Sequence, residues 1–182
     1  IGDMARLQTD AIIISSCLGV VWVGLIGTYK MIVNSVSGYV NLIFNSVISS
    51  FGNLIATESR EKQFQLFLVY RFFAIWVYGF SAVGFFLLLS PLVELYVGAD
   101  RVLATSIIAW YLTDYFFKGE RVVLSNFKTA AGVFEQDKYL SILQGIVNLV
   151  LSIALVFKIG LAGVFIGTVV SGPVSYTHLR AH

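Results

Sequence analysis

Four charged residues, Asp114, Lys118, Glu120 and Arg121, lie inside the helix-length apolar stretch 102–128, VLATSIIAWYLTDYFFKGERVVLSNFK. A charged side chain at the centre of a hydrocarbon layer costs ~2.5–3.5 kcal/mol on insertion scales, so such residues face a partner helix or a watery cavity. Steps of four, three and four residues put Asp114, Lys118, Arg121 and Ser125 on one helical face and leave Glu120 off it. Lys118 and Arg121 together suit an anion, because the guanidinium offers a planar fork that matches phosphate oxygens and the ammonium adds field. Asp114 on the same face would keep that basic pair oriented while no anion is bound. The alternative is that Lys118 to Arg121 form the wet end of a spanning helix. The apolar Val122-Val123-Leu124 beyond the charges argues against it, since a helix already in water has no need of them.

The elements that carry these residues follow from composition. Of 182 residues, 58% are hydrophobic and 12% charged, which excludes an ordinary soluble domain and predicts a polytopic membrane protein. Runs at 11–29, 31–57, 72–93 and 139–157 are charge-free or nearly so, and each approaches the ~20 residues that cross a ~30 Å hydrocarbon core as a helix. They lack the strict alternation of membrane strands. The fold class is therefore all-α, a transmembrane bundle of about six helices. The single cysteine, Cys17, rules out an internal disulfide and a cysteine-rich metal site. No metal, cofactor or nucleic-acid partner is expected.

In chain order, a first helix is expected from Asp3 to Leu18, with Arg6 able to pair with Asp3 or Asp10. Asp10 is notable because it directly precedes the apolar run. A single helix over 11–57 would be ~70 Å long, so a turn must fall near Gly19, Gly24 or Gly27. The second helix, Gly24 to Thr57, carries Lys30, Asn34, Ser37, Asn41, Asn45, Ser49 and Gly52 at steps of three or four. This polar stripe predicts a cavity wall, because it cannot face lipid unpaired. A third helix, Gln63 to Pro91, holds Arg71 two turns inside, where it either snorkels to the interface or serves the cavity. The charged helix follows, and then a fifth, Lys138 to Phe157, with a second polar stripe of Gln144, Asn148 and Ser152. The last helix, from Ile159, has Gly163, Gly167 and Ser171 at steps of four, a ridge for close helix packing.

The segments DAIIISSCLG, VGLIGTYK and FGNLIATES, followed by YLSILQGIVNLVLSIALV and GLAGVFIGTVVSG, resemble the lipid-linked oligosaccharide flippases. These form the polysaccharide-transporter branch of the MOP exporter superfamily, related to the MATE exporters. The resemblance covers 1–172 and departs at Tyr29-Lys30-Met31, where members often read Tyr-Ser-Asn-Tyr. It implies a two-lobe helical fold around a central cavity, of which 1–172 would be most of the C-terminal lobe, with the N-terminal lobe missing. Its implied partners are membrane lipids, a polyprenyl-diphosphate-linked oligosaccharide and the missing lobe. On that basis Arg121, Lys118, Asp114, Lys30, Asn34, Asn41, Asn45 and Asn148 are candidate cavity residues. Residues 174–182, VSYTHLRAH, resemble a translated sequencing adapter, so 173–182 is read as a non-native tail. It holds both histidines, His178 and His182, which removes histidine chemistry from consideration.

The chain has no GxxxxGK[ST] phosphate loop, HExxH or GxSxG, so no ATPase, zinc-protease or serine-hydrolase machinery is expected. The expected function is alternating-access transport, driven by Na⁺, H⁺ or the membrane potential. Two alternatives remain. One is a MATE-like cation exporter, which would favour acidic cavity residues; the other is an integral-membrane polymerase or transferase, which would want a larger polar loop. Arg60, Lys62, Lys128 and Lys138 mark the cytoplasmic side, opposite Arg101 and Lys158.

Overall fold

The computed structural model describes residues 2–132 and 137–171, with side chains described over 10–132 and 145–171. Every regular element among them is helical: α1 (Gly2–Cys17), α2 (Val20–Asn45), α3 (Ile48–Thr57), α4 (Arg60–Val97), α5 (Thr105–Ala131), α6 (Asp137–Ile159) and α7 (Leu161–Ser171), with one 3₁₀ turn at Ala99–Arg101. The stretches Val20–Thr57 and Arg60–Val97 are long and apolar enough to cross a membrane by length and composition. The sequence expectations for Asp3, Arg6, Lys138 and Gln144 concern side chains outside the described ones, and the 173–182 tail lies outside the described residues.

Glycine sets three of the turns. Gly19, Gly98 and Gly160 have φ of 101°, 105° and 68°, a region that costs other residues steric strain. The first turn therefore falls at Leu18-Gly19, earlier than Gly24, and α2 begins at Val20. Pro91 does not end its helix. Chain 60–97 runs through it to Gly98, because Leu89 and Val93 on either side are fully buried and hold the last turns against the core.

The expected helix over Gly24 to Thr57 is broken at Ser46-Val47, between α2 and α3. The Phe44 carbonyl near the break accepts a hydrogen bond from the Tyr70 hydroxyl of α4 at 2.6 Å and another from Asn126 Nδ2 of α5 at 3.1 Å. Ser46 Oγ also donates to the Ile43 carbonyl at 2.7 Å, a back-bond that bends helices. Below the break an aromatic column ties three helices together: Phe51 meets Tyr70 at 4.7 Å between ring centroids and Phe127 at 5.6 Å, and Phe127 meets Phe67 at 5.4 Å.

α5 packs against α3, α4 and α7, and α6 pairs closely with α7 and α1. The small-residue ridge of α7 is the close-packed face. A β-carbon on Gly163 would sit 2.5 Å from the Leu155 backbone, and one on Gly167 would sit 2.6 Å from Ser152 Oγ. Asn148 is fully buried in the same seam and donates to Thr168 Oγ1 at 3.0 Å and Ser171 Oγ at 3.3 Å.

Candidate functional site

A cavity of about 320 Å³ opens between α1, α2, α5 and α7. α5 forms its longest wall, with Tyr111, Asp114, Tyr115, Lys118, Arg121, Val122 and Ser125 at successive steps of three and one. That spacing keeps returning to one face, so a single regular helix presents all of them without distortion. α2 adds Lys30, Val33 and Asn34, α7 adds Phe165 and Thr168, and α1 adds Asp10. Tyr111 and Phe165 meet at 5.5 Å between centroids where α5 passes α7.

The start of α5 is fixed by α2. Tyr29 is buried, and its hydroxyl accepts the Leu103 N–H at 3.0 Å, which ties the loop before α5 to the turn of α2 that carries Lys30. Tyr29 and Lys30 thus divide their work. One side chain anchors the neighbouring helix and the next lines the cavity.

Asp114 is the electrostatic centre. It is only 3% exposed, its Oδ2 lies 2.5 Å from Lys118 Nζ, and its Oδ1 lies 3.9 Å from a terminal guanidinium nitrogen of Arg121. Oδ1 has no hydrogen-bond donor among the described residues, so its attraction to Arg121 is through space. Arg121 is steadied instead by its Nε, which donates to the Phe117 carbonyl at 3.4 Å. The cavity lining holds three basic groups, Lys30, Lys118 and Arg121, and two carboxylates, Asp10 and Asp114, for a formal charge of 3 − 2 = +1.

Of the residues singled out from the sequence, Asp114, Lys118, Arg121, Lys30 and Asn34 share this cavity. The remaining asparagines sit elsewhere. Asn41 Oδ1 accepts the Tyr78 hydroxyl at 2.5 Å and so serves the α2–α4 contact. Asn45 is exposed at the end of α2. Asn148 lies in the α6–α7 seam, one hydrogen bond behind the cavity-lining Thr168. The α2 stripe is thus divided, because α4 packs on the later part of α2 and bonds Asn41, while Ser37 donates to the Val33 carbonyl of its own helix and Asn45 stays exposed.

Sequence reasoning missed two things. Asp10 is a buried cavity carboxylate, and its only sequence signal was its place at the head of an apolar run. Arg71 of α4 neither reaches the cavity lining nor stands alone; its Nε donates to Glu120 Oε1 at 2.9 Å, and a second guanidinium nitrogen contacts the same oxygen. The signal was available. A charge off the polar face of α5 needed a partner on another helix.

Among the described residues no group of three or more His, Cys, Asp or Glu side chains is placed to hold a metal ion. No family model matches the chain, and no curated protein or solved structure is significantly similar to it.

Proposed function

We propose that the chain is part of a multi-pass carrier of the bacterial cytoplasmic membrane, which translocates a polyprenyl-diphosphate-linked oligosaccharide by alternating access and is not an enzyme. The observation that carries this reading is a charged cavity within a bundle whose outer surface is apolar. Phe80, Leu87 and Leu95 of α4 are 80%, 65% and 87% exposed, as lipid contact would require and water would not favour. Inside, Arg121 and Lys118 form a cationic pair of the kind that holds diphosphate oxygens, while Lys30 and Asn34 add a donor wall from α2. In a two-lobe carrier this cavity would be one half of the central passage, and an N-terminal lobe of the same protein would supply the facing wall.

A second reading is favoured by Asp10 and Asp114, two carboxylates in the same cavity, which suit a MATE-like exporter of organic cations. Binding separates the two. In nanodiscs, inorganic diphosphate should compete with a fluorescent lipid diphosphate for the full chain, and ethidium should not. Binding of ethidium with no response to diphosphate would replace the flippase reading by the cation exporter.

A further inference from the structure

Four consecutive residues of α5 point in two directions. Lys118 and Arg121 line the cavity, whereas Gly119 lies against the Tyr78 ring and Glu120 pairs with Arg71, both on α4. Successive residues of a helix are separated by about 100°, so a rotation of α5 through part of that angle would bring Glu120 toward the cavity and carry Lys118 away from it. The Gly119–Tyr78 contact sets how near the helices come and blocks a full step of rotation, because a side chain turned into Gly119's place would meet the ring; rotation through less than a step is opposed by the Arg71–Glu120 bond. The Arg71–Glu120 bond is directional. One carboxylate oxygen, Glu120 Oε1, meets two nitrogens of the Arg71 guanidinium, a contact that a rotation of α5 would lengthen.

We infer that Arg71 and Glu120 are positioning residues, which lock the rotational phase of α5 so that Lys118 and Arg121 face the cavity. Neither residue lines the cavity itself. The inference rests on the reading of that cavity as an anion site, and it adds the device that keeps the cations in place. A pair that served only to stabilise the bundle would leave the phase of α5 unchanged when removed.

The test reads phase directly. In the full chain with Cys17→Ser, the substitutions Val122→Cys and Ser125→Cys report the cavity face, and Phe117→Cys and Leu124→Cys report the opposite side. Each is reacted with a water-soluble maleimide in nanodiscs. The cavity positions should label about tenfold faster, because the reactive thiolate forms where water reaches. That ratio should fall to about one in Glu120→Gln and in Arg71→Gln, and should return in the charge swap Arg71→Glu with Glu120→Arg. A ratio that persists in both single variants, or a well-folded swap that fails to restore it, overturns the assignment. Inorganic diphosphate should slow labelling at Ser125→Cys in the otherwise unaltered chain. If it does not, the anion reading of the cavity falls while the phase measurement stands.

Discussion

The ring of Tyr78 occupies the space where Gly119 would carry a side chain: a β-carbon there would lie 2.1 Å from the ring. Tyr78 cannot easily move aside, because it is 2% exposed, bonded through its hydroxyl to Asn41, and packed against Phe44 and Tyr115 at centroid distances of 5.4 and 5.8 Å. Gly119→Ala should therefore destabilise the bundle by about 1–3 kcal/mol, as overpacking does. Gly79→Ala on the facing helix is the contrast, since its β-carbon would meet Phe116 at an ordinary 3.6 Å. Thermal unfolding in detergent should show a lowered midpoint for the first and little change for the second.

Arg121→Ala in the full-length protein should abolish surface-glycan export at normal abundance, and Arg121→Lys should restore it in part, because an ammonium supplies the charge without the fork. Arg101→Ala, in the exposed 3₁₀ turn and outside the cavity lining, should have little effect. Normal export by Arg121→Ala would remove the cationic site from the mechanism. Reduced abundance without a transport defect per molecule would make the residue structural.

The carboxylate of Asp114 should be costlier to strand than to delete. Lys118 is itself 39% exposed, so Lys118→Met, which strands the buried Asp114 carboxylate beside the more distant Arg121, should lose about 1–3 kcal/mol of stability. The double variant Lys118→Met with Asp114→Asn should recover much of it, since no charge is then left behind. Equal losses for the single and double variants in chemical denaturation would show that the pair is not coupled.

At the α2–α3 break, Asn126→Leu and Tyr70→Phe each remove a donor from the Phe44 carbonyl. Each single variant leaves the carbonyl its other donor and should cost about 0.5–1.5 kcal/mol, and the double variant, which strands it, should cost a further ~1–3 kcal/mol. Hydrogen exchange is the sensitive readout. Amides of residues 46–50 should lose protection in these variants while those of α7 keep theirs.

Cysteines introduced at Ser59 and Ala99, which flank the two ends of α4, should label from opposite sides of the membrane in a chain lacking Cys17, Ser59→Cys from the cytoplasm and Ala99→Cys from outside. Labelling of both from one side would overturn the orientation drawn from the basic loops.

The helices were legible because their apolar runs and glycine stops are local properties. Gly19 turns the chain where its φ requires glycine, and the α5 face from Asp114 to Ser125 could be drawn from spacing alone. What could not be read were relations between helices. The break at Ser46-Val47 depends on donors from Tyr70 and Asn126, which are distant in sequence. Likewise, nothing local to Asn41 or Asn148 separates a cavity wall from a packing seam. Pro91 shows the limit from the other side, where burial of Leu89 and Val93 overrides a residue that usually stops a helix.

Asp114 gives the cavity a resident competitor. A carboxylate tethered one turn from Lys118 and facing Arg121 acts at an effective concentration of at least the millimolar order, so weak monovalent anions that meet it gain little by exchange. Only a ligand that brings more than one negative oxygen can take both cations at once. On the proposed reading of the cavity as an anion site, Asp114 would then be left beside the ligand as a buried like charge, so that the side chain which opposes small anions at loading would favour departure of the large one.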